Sequence, residues 1–176
     1  MKTQYKIGLD GSGIDEFIEG IEQYERWLKE RSMVLLQRLA DEGYQITAAG
    51  FAAAQYDGTN DAEVTVEDRG ATAKAVVALG ETVLFIEFGT GITYPDNHPE
   101  AAQNGMVRGQ YGHGLGKMKN GWRYPESRGA GSAGFPDPDH EGYYHTYGNP
   151  ANMPMYNAVK ELRERLPALA REVFKT

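Results

Sequence analysis

The chain opens on alternation: YKIGL, residues 5–9, predicts a short strand. The turn DGSG follows, with Ser12 placed to cap a helix and Asp15 and Glu16 in its first turn, where the amide dipoles favour negative charge. From there apolar residues recur at Ile14, Phe17, Ile18, Ile21, Tyr24, Leu28, Leu35 and Leu39, steps of three, four and seven that trace one helical stripe. Gly43 reads as the stop, which makes a helix of about 30 residues and roughly 45 Å, with a break near Ser32 as the alternative. That is longer than a small core covers, so its outer part is expected to pack on a neighbour.

The period then changes to two. YQITAAGFAAAQYDG (44–58) reads as an extended stretch ending in an Asp-Gly turn. AEVTVEDRG (62–70) sets Val64 and Val66 against charged neighbours, and TAKAVVALG (72–80) is a more apolar partner. Short glycine-containing connections make these an antiparallel meander. VLFIEF (83–88) extends it as a strand with Leu84, Ile86 and Phe88 on one face; a short helix is the alternative for so brief a run. At the far end Met155, Ala158, Val159, Leu162, Leu166, Leu169 and Val173 return to helical spacing. Pro150 and Pro154 fix the entry, Asn152 is the expected cap, and Pro167 is expected to kink the helix or begin a second segment.

Between these patterned ends the composition shifts. Residues 89–148 hold 13 of the 22 glycines and all four histidines, with no sustained period. Trp122, Tyr124, Tyr143, Tyr144 and Tyr147 distinguish the stretch from a linker, which is poor in aromatics. It reads as an insertion loop, 92–148, that packs on something. The expected fold is therefore α+β in a single domain over 1–176. An antiparallel sheet packs against a long N-terminal helix within 1–91, the insertion loop follows, and an amphipathic C-terminal helix occupies 149–176.

Charge and composition narrow the function classes. A net charge of −7 disfavours non-specific DNA binding by the chain as a whole. No cysteine is present, which removes disulfides and thiolate metal sites and fits a reducing compartment. The N-terminus lacks the apolar core of a secretory signal, and VLFIEFGTGI is too short to span a bilayer, so a soluble protein is expected.

Catalytic and ligand patterns each fall short. GQYGHGLGKMKNG (109–121) resembles a phosphate loop, but Met118 follows Gly116-Lys117 where a hydroxyl belongs, and Tyr111 stands at the first glycine position. PDPDHEGYYH (136–145) is the most ligand-rich window. Asp137, Asp139, Glu141 and Gly142 match the first half of a calcium loop, but its twelfth position is Gly148. His140-Glu141 with His145 misses zincin spacing by one residue. GAGSAG (129–134) lacks the glycine two before Ser132 that a nucleophile elbow requires. Glu87, alone in its apolar run, has the amides of Gly89, Thr90 and Gly91 as the nearest donors. No second carboxylate or histidine stands at a recognisable spacing. It reads as a pin for the turn, not an acid or base.

YDGTNDAEVTVE (56–67), VLFIEFGTGI (83–92) and NPANMPMYNAVKELRERL (149–166) together resemble the head–tail joining, or tail-completion, proteins of long-tailed phages and prophages, often labelled minor tail or minor capsid components. With the long first helix, the resemblance covers about two-thirds of the chain. It departs in the long 92–148 loop, where shorter members run almost directly from Gly-Thr to the last helix. The resemblance implies a non-enzymatic virion part without cofactor or metal, made in the bacterial host cytoplasm and ending in the neck. Its partners would be itself, in a ring of six or twelve subunits, and the adjoining connector and tail proteins. DNA would pass through without specific binding, and no membrane is involved. Structural positions are then Glu87, Phe88, Gly89, Thr90 and Gly91. Glu22 and Glu25 on the first helix, with Arg163 and Arg171 on the last, are expected to fix the register between subunits. The competing classes are a metal-dependent hydrolase built on 136–145 and a peptide- or small-molecule-binding domain using the aromatic loop.

Overall fold

The computed structural model describes residues 4–8, 10–55, 60–90, 97–106, 121–128 and 134–175. Gly91, the Asp-Gly turn at 57–58, the segment 109–120 and Ser132 lie outside them. The fold is α+β. A helix α1 (Ile14–Ala52) is followed by the hairpin strands β1 (Glu63–Asp68) and β2 (Lys74–Leu79) and a short helix α2 (Val83–Phe88). After these come β3 (Trp122–Pro125), β4 (Gly134–Pro136), β5 (Tyr143–Thr146) and the C-terminal helix α3 (Pro154–Val173).

Helix α1 is longer than its stripe indicates: 39 residues, about 58 Å. It runs straight through Gly43 into the stretch read as extended. Gly43 is a contact point. A Cβ there would lie 3.1 Å from both Leu162 and Val76, so its missing side chain lets α3 and β2 close on the helix. Gly50 does the same for Pro154. The buried positions Ala40, Gly43, Thr47 and Phe51 recur at three and four, and they confine burial to the second half of α1. The first half carries Ile14, Phe17, Ile18, Ile21, Tyr24 and Leu28, all exposed.

YKIGL forms no strand; Tyr5 instead lays its ring edge-on to Phe17, 5.4 Å away, over Gly20. Gly13, at φ 86, caps α1 in place of Ser12, whose amide binds Asp10; Asp15 and Glu16 do occupy the first turn. The meander contains two strands, not three or four. β1 and β2 pair antiparallel from Glu63↔Leu79 to Asp68↔Lys74, which puts Val64 and Val66 opposite Ala78 and Val76.

VLFIEF takes the helical alternative. Asp61 fixes the turn that leads into it by accepting the amides of Glu81 at 2.9 Å and Thr82 at 3.0 Å. The Thr82 hydroxyl, ahead of these two amides, holds the Asp61 carboxyl below the usual range against a smaller opposing effect of burial. Ile86, Glu87 and Phe88 turn inward and Leu84 outward.

The insertion is not elementless. It holds a 3-10 turn at Ala102–Asn104 and an antiparallel sheet in the order β3-β5-β4, with Tyr124 stacked on its cross-strand partner Tyr144. Helix α3 continues through Pro167, which sits on the solvent side, where water can satisfy the carbonyl left without a donor. α3 runs antiparallel along α1, from Gly50 against Pro154, through Gly43 against Leu162, to Phe174 against Trp27. Arg38–Glu172 at 3.3 Å and Arg165–Glu42 at 3.5 Å bridge the two. Phe51, Ile86 and Thr47 are the most deeply buried side chains. No helix among the described residues is long and apolar enough to cross a membrane.

Candidate functional site

Helix α3 begins with no capping side chain of its own. Its N-cap is Met153 in the left-handed region (φ 57), a strained conformation for a side chain of this kind, and Pro154 has no amide to donate. The orphan amides are those of Met155 and Tyr156. Glu87 meets both, Oε2 accepting from Met155 at 2.8 Å and Oε1 from Tyr156 at 2.9 Å. A buried carboxylate thus caps a helix 68 residues away and sits at the positive end of its dipole. The start of α3 thus supplies donors where the amides of Gly89, Thr90 and Gly91 were expected; the Thr90 amide goes to the Asn149 carbonyl, and Gly91 lies outside the described residues.

His98 completes the cluster. Its Nδ1 accepts the Glu100 amide at 3.1 Å, which places the ring proton on Nε2, 3.3 Å from Glu87 Oε1. The imidazole side chain is 2% exposed, between Phe88 (ring centroids 4.4 Å) and Tyr156 (5.4 Å). Around the cap, backbone bonds lace α2 to the entry of α3. Thr90 and Asn149 exchange two hydrogen bonds, and Asn152 and Met153 donate to the carbonyls of Ile86 and Glu87. Gly89 ends α2 at φ 79. Asn152, the expected cap, instead clamps Gln55 beyond the end of α1 with two hydrogen bonds of 2.9 and 3.0 Å.

His98 escaped the sequence reading. A legible signal existed on either side of it: a carboxylate inside an apolar run needs donors, and a helix entered through Met-Pro needs an acceptor.

The ligand-rich window organises around Asp137, whose side chain is 1% exposed. Oδ2 accepts from Arg123 Nε at 2.5 Å and faces His145 Nδ1 at 3.4 Å; Oδ1 accepts the Asp139 amide at 2.9 Å and faces His140 Nδ1 at 3.2 Å. Burial raises the cost of this charge, but the Asp139 amide, the guanidinium and the two imidazoles outweigh it and hold the carboxyl well below the ordinary range. These donors fasten β3 and β5 to the turn after β4. Among the described residues no three His, Cys, Asp or Glu side chains are grouped to hold a metal. Asp139 and Glu141 are exposed.

The remaining expected positions stay apart within one chain. Glu22 pairs with Arg26 at 3.8 Å and Glu25 with Lys29 at 2.8 Å, both on the projecting half of α1. Arg163 borders a groove of about 490 Å³ between α2 and α3, floored by Glu87 and His98. Arg171 lies exposed in the last turn of α3. Among the described residues neither arginine forms an ion pair. Comparison with protein-family models, curated proteins and solved structures finds no match.

Proposed function

We propose that this chain is a structural protein of the neck of a long-tailed phage or prophage. In this reading it assembles as a ring of six or twelve copies between the head and the tail and has no turnover of its own. The observation that carries the reading is the exposed apolar stripe on the first half of α1. About 20 Å of helix bearing five large exposed apolar residues, Ile14, Phe17, Ile18, Ile21 and Tyr24, projects beyond the Trp27–Phe174 contact at the end of α3, more than an isolated chain has reason to leave in water. The segments that carry the resemblance lend support, since Glu87 and Thr90 of one are bonded to the Asn149–Tyr156 entry of the other. Glu87 and His98 have their polar atoms committed to that joint, which favours scaffold over proton transfer. A net charge of −7 suits a channel through which DNA slides without sticking. Electron microscopy of concentrated purified protein tests the reading: rings with a central opening support it, and single copies at every concentration contradict it.

A further inference from the structure

Two exposed apolar surfaces of this chain differ in the charge that borders them. The first is the α1 stripe Ile14, Phe17, Ile18, Ile21, Tyr24 and Leu28, between 37% and 51% exposed. By helical spacing Glu22 and Glu25 line one edge of it, four residues after Ile18 and Ile21. Residues 14–28 hold five carboxylates against Arg26. The second is the α2–α3 groove, whose exposed apolar residues are Leu84 and Val159, with Leu166 continuing the strip along α3. Lys160 and Arg163 edge the α3 wall with Glu164; Glu100 stands on the wall formed by 97–106. Glu161 pairs with Arg165 and Glu172 with Arg38, which leaves Lys160, Arg163 and Arg171 against Glu164 along the exposed side of α3.

We propose that the first half of α1 of one copy lies in the α2–α3 groove of the next. Its apolar stripe covers Leu84, Val159 and Leu166, and its Glu22–Glu25 edge runs along Arg163. This rests on the self-assembly reading above and names the contact that builds the assembly. A chain cannot fill its own groove, because Leu162 abuts Gly43, about 22 residues and roughly 33 Å along α1 from Ile21. Pairing of two α1 stripes with each other would bring carboxylate edges together, which disfavours a two-fold contact. The groove contact is instead heterologous, one face docking on a different face of the next copy, and such contacts generate rings when the rotation closes. The ion pairs Glu22–Arg26 and Glu25–Lys29 are exposed and weak, so exchanging them for Arg163 costs little.

The absence of cysteine gives a silent background for the test. Ile21→Cys and Val159→Cys variants are purified separately, checked for helix content by circular dichroism, mixed and mildly oxidised. Phe17→Cys and Leu28→Cys serve as neighbouring registers, since a disulfide needs Cα atoms within about 7 Å. The expected result is a disulfide-linked pair in at least one mixture and none with either partner alone. The double variant should give a covalent ladder that ends at the ring number. An Ile21→Cys variant that links to itself places two α1 stripes together and overturns the groove contact. Rings seen by microscopy without any cross-link overturn it too, while leaving ring formation intact. Folded variants that neither link nor assemble overturn the ring reading along with it.

Discussion

At Glu87 two unmet needs cancel: a buried carboxylate finds donors, and a helix that starts Met-Pro finds its cap. Glu87→Gln turns one acceptor oxygen into a donor facing an amide and removes the charge at the helix dipole. It should lower stability by about 1–3 kcal/mol, several degrees in Tm for a chain of this size. Urea melts checked by circular dichroism read this, and an unchanged midpoint would mean that the cap holds nothing. Asp137 offers a pH test. Because its folded-state value is depressed, its contribution is complete above the unfolded value and drains away as pH falls through the folded one. Wild type should exceed Asp137→Asn in urea midpoint near neutral pH, and the gap should narrow from about pH 4 downward. A gap that is constant with pH would show that Asp137 is not held as a buried anion. Sequence exposed both residues as anomalies, a lone acid in an apolar run and a crowded acid–histidine window. It did not expose their partners, because Met155, His98 and Arg123 arrive from segments with no periodic relation to them.

The elements divide by how their residues were constrained. The β1–β2 hairpin and α3 were legible because burial on one side left clean alternation or a clean stripe. A stop at Gly43 leaves helix α1 nine residues short, because a glycine inside a helix and a glycine beyond its end look alike, and only the approach of Leu162 and Val76 separates them. VLFIEF, a six-residue apolar run, fits both the strand and the helix period; the turn that Asp61 fixes at Glu81 and Thr82 leads it into the helix. Gly50→Ala should show the same logic in reverse. Alanine favours a helix by about 1 kcal/mol, yet its Cβ would meet Pro154 at 2.8 Å and push the start of α3 away from Glu87. Net destabilisation is expected, and a stabilised variant would mean that the contact gives way freely. For the contact between copies, Arg163→Glu with Arg171→Glu should leave helix content intact and stop assembly. Adding Glu22→Lys and Glu25→Lys should partly restore it. Assembly that ignores these four charges, followed by sedimentation, would remove them from the interface.

At the scale of the whole molecule, the chain buries one half of its longest helix and leaves a stripe of apolar residues on the other half exposed. The α+β class was legible from the order of periods, helix first, strands next and helix last. The small sheet inside the insertion was not, because strands of three and four residues are too short to show alternation. The central claim is that the exposed stripe is a joint between copies. Its most direct test is native mass spectrometry of the purified chain over a concentration series, beside a variant with Phe17, Ile21 and Leu28 changed to Ser. The wild type should converge on one closed species at six or twelve times the 19.5 kDa chain mass, and the variant should remain a folded monomer. A wild type that stays monomeric at every concentration, or a variant that closes the same ring, would contradict it.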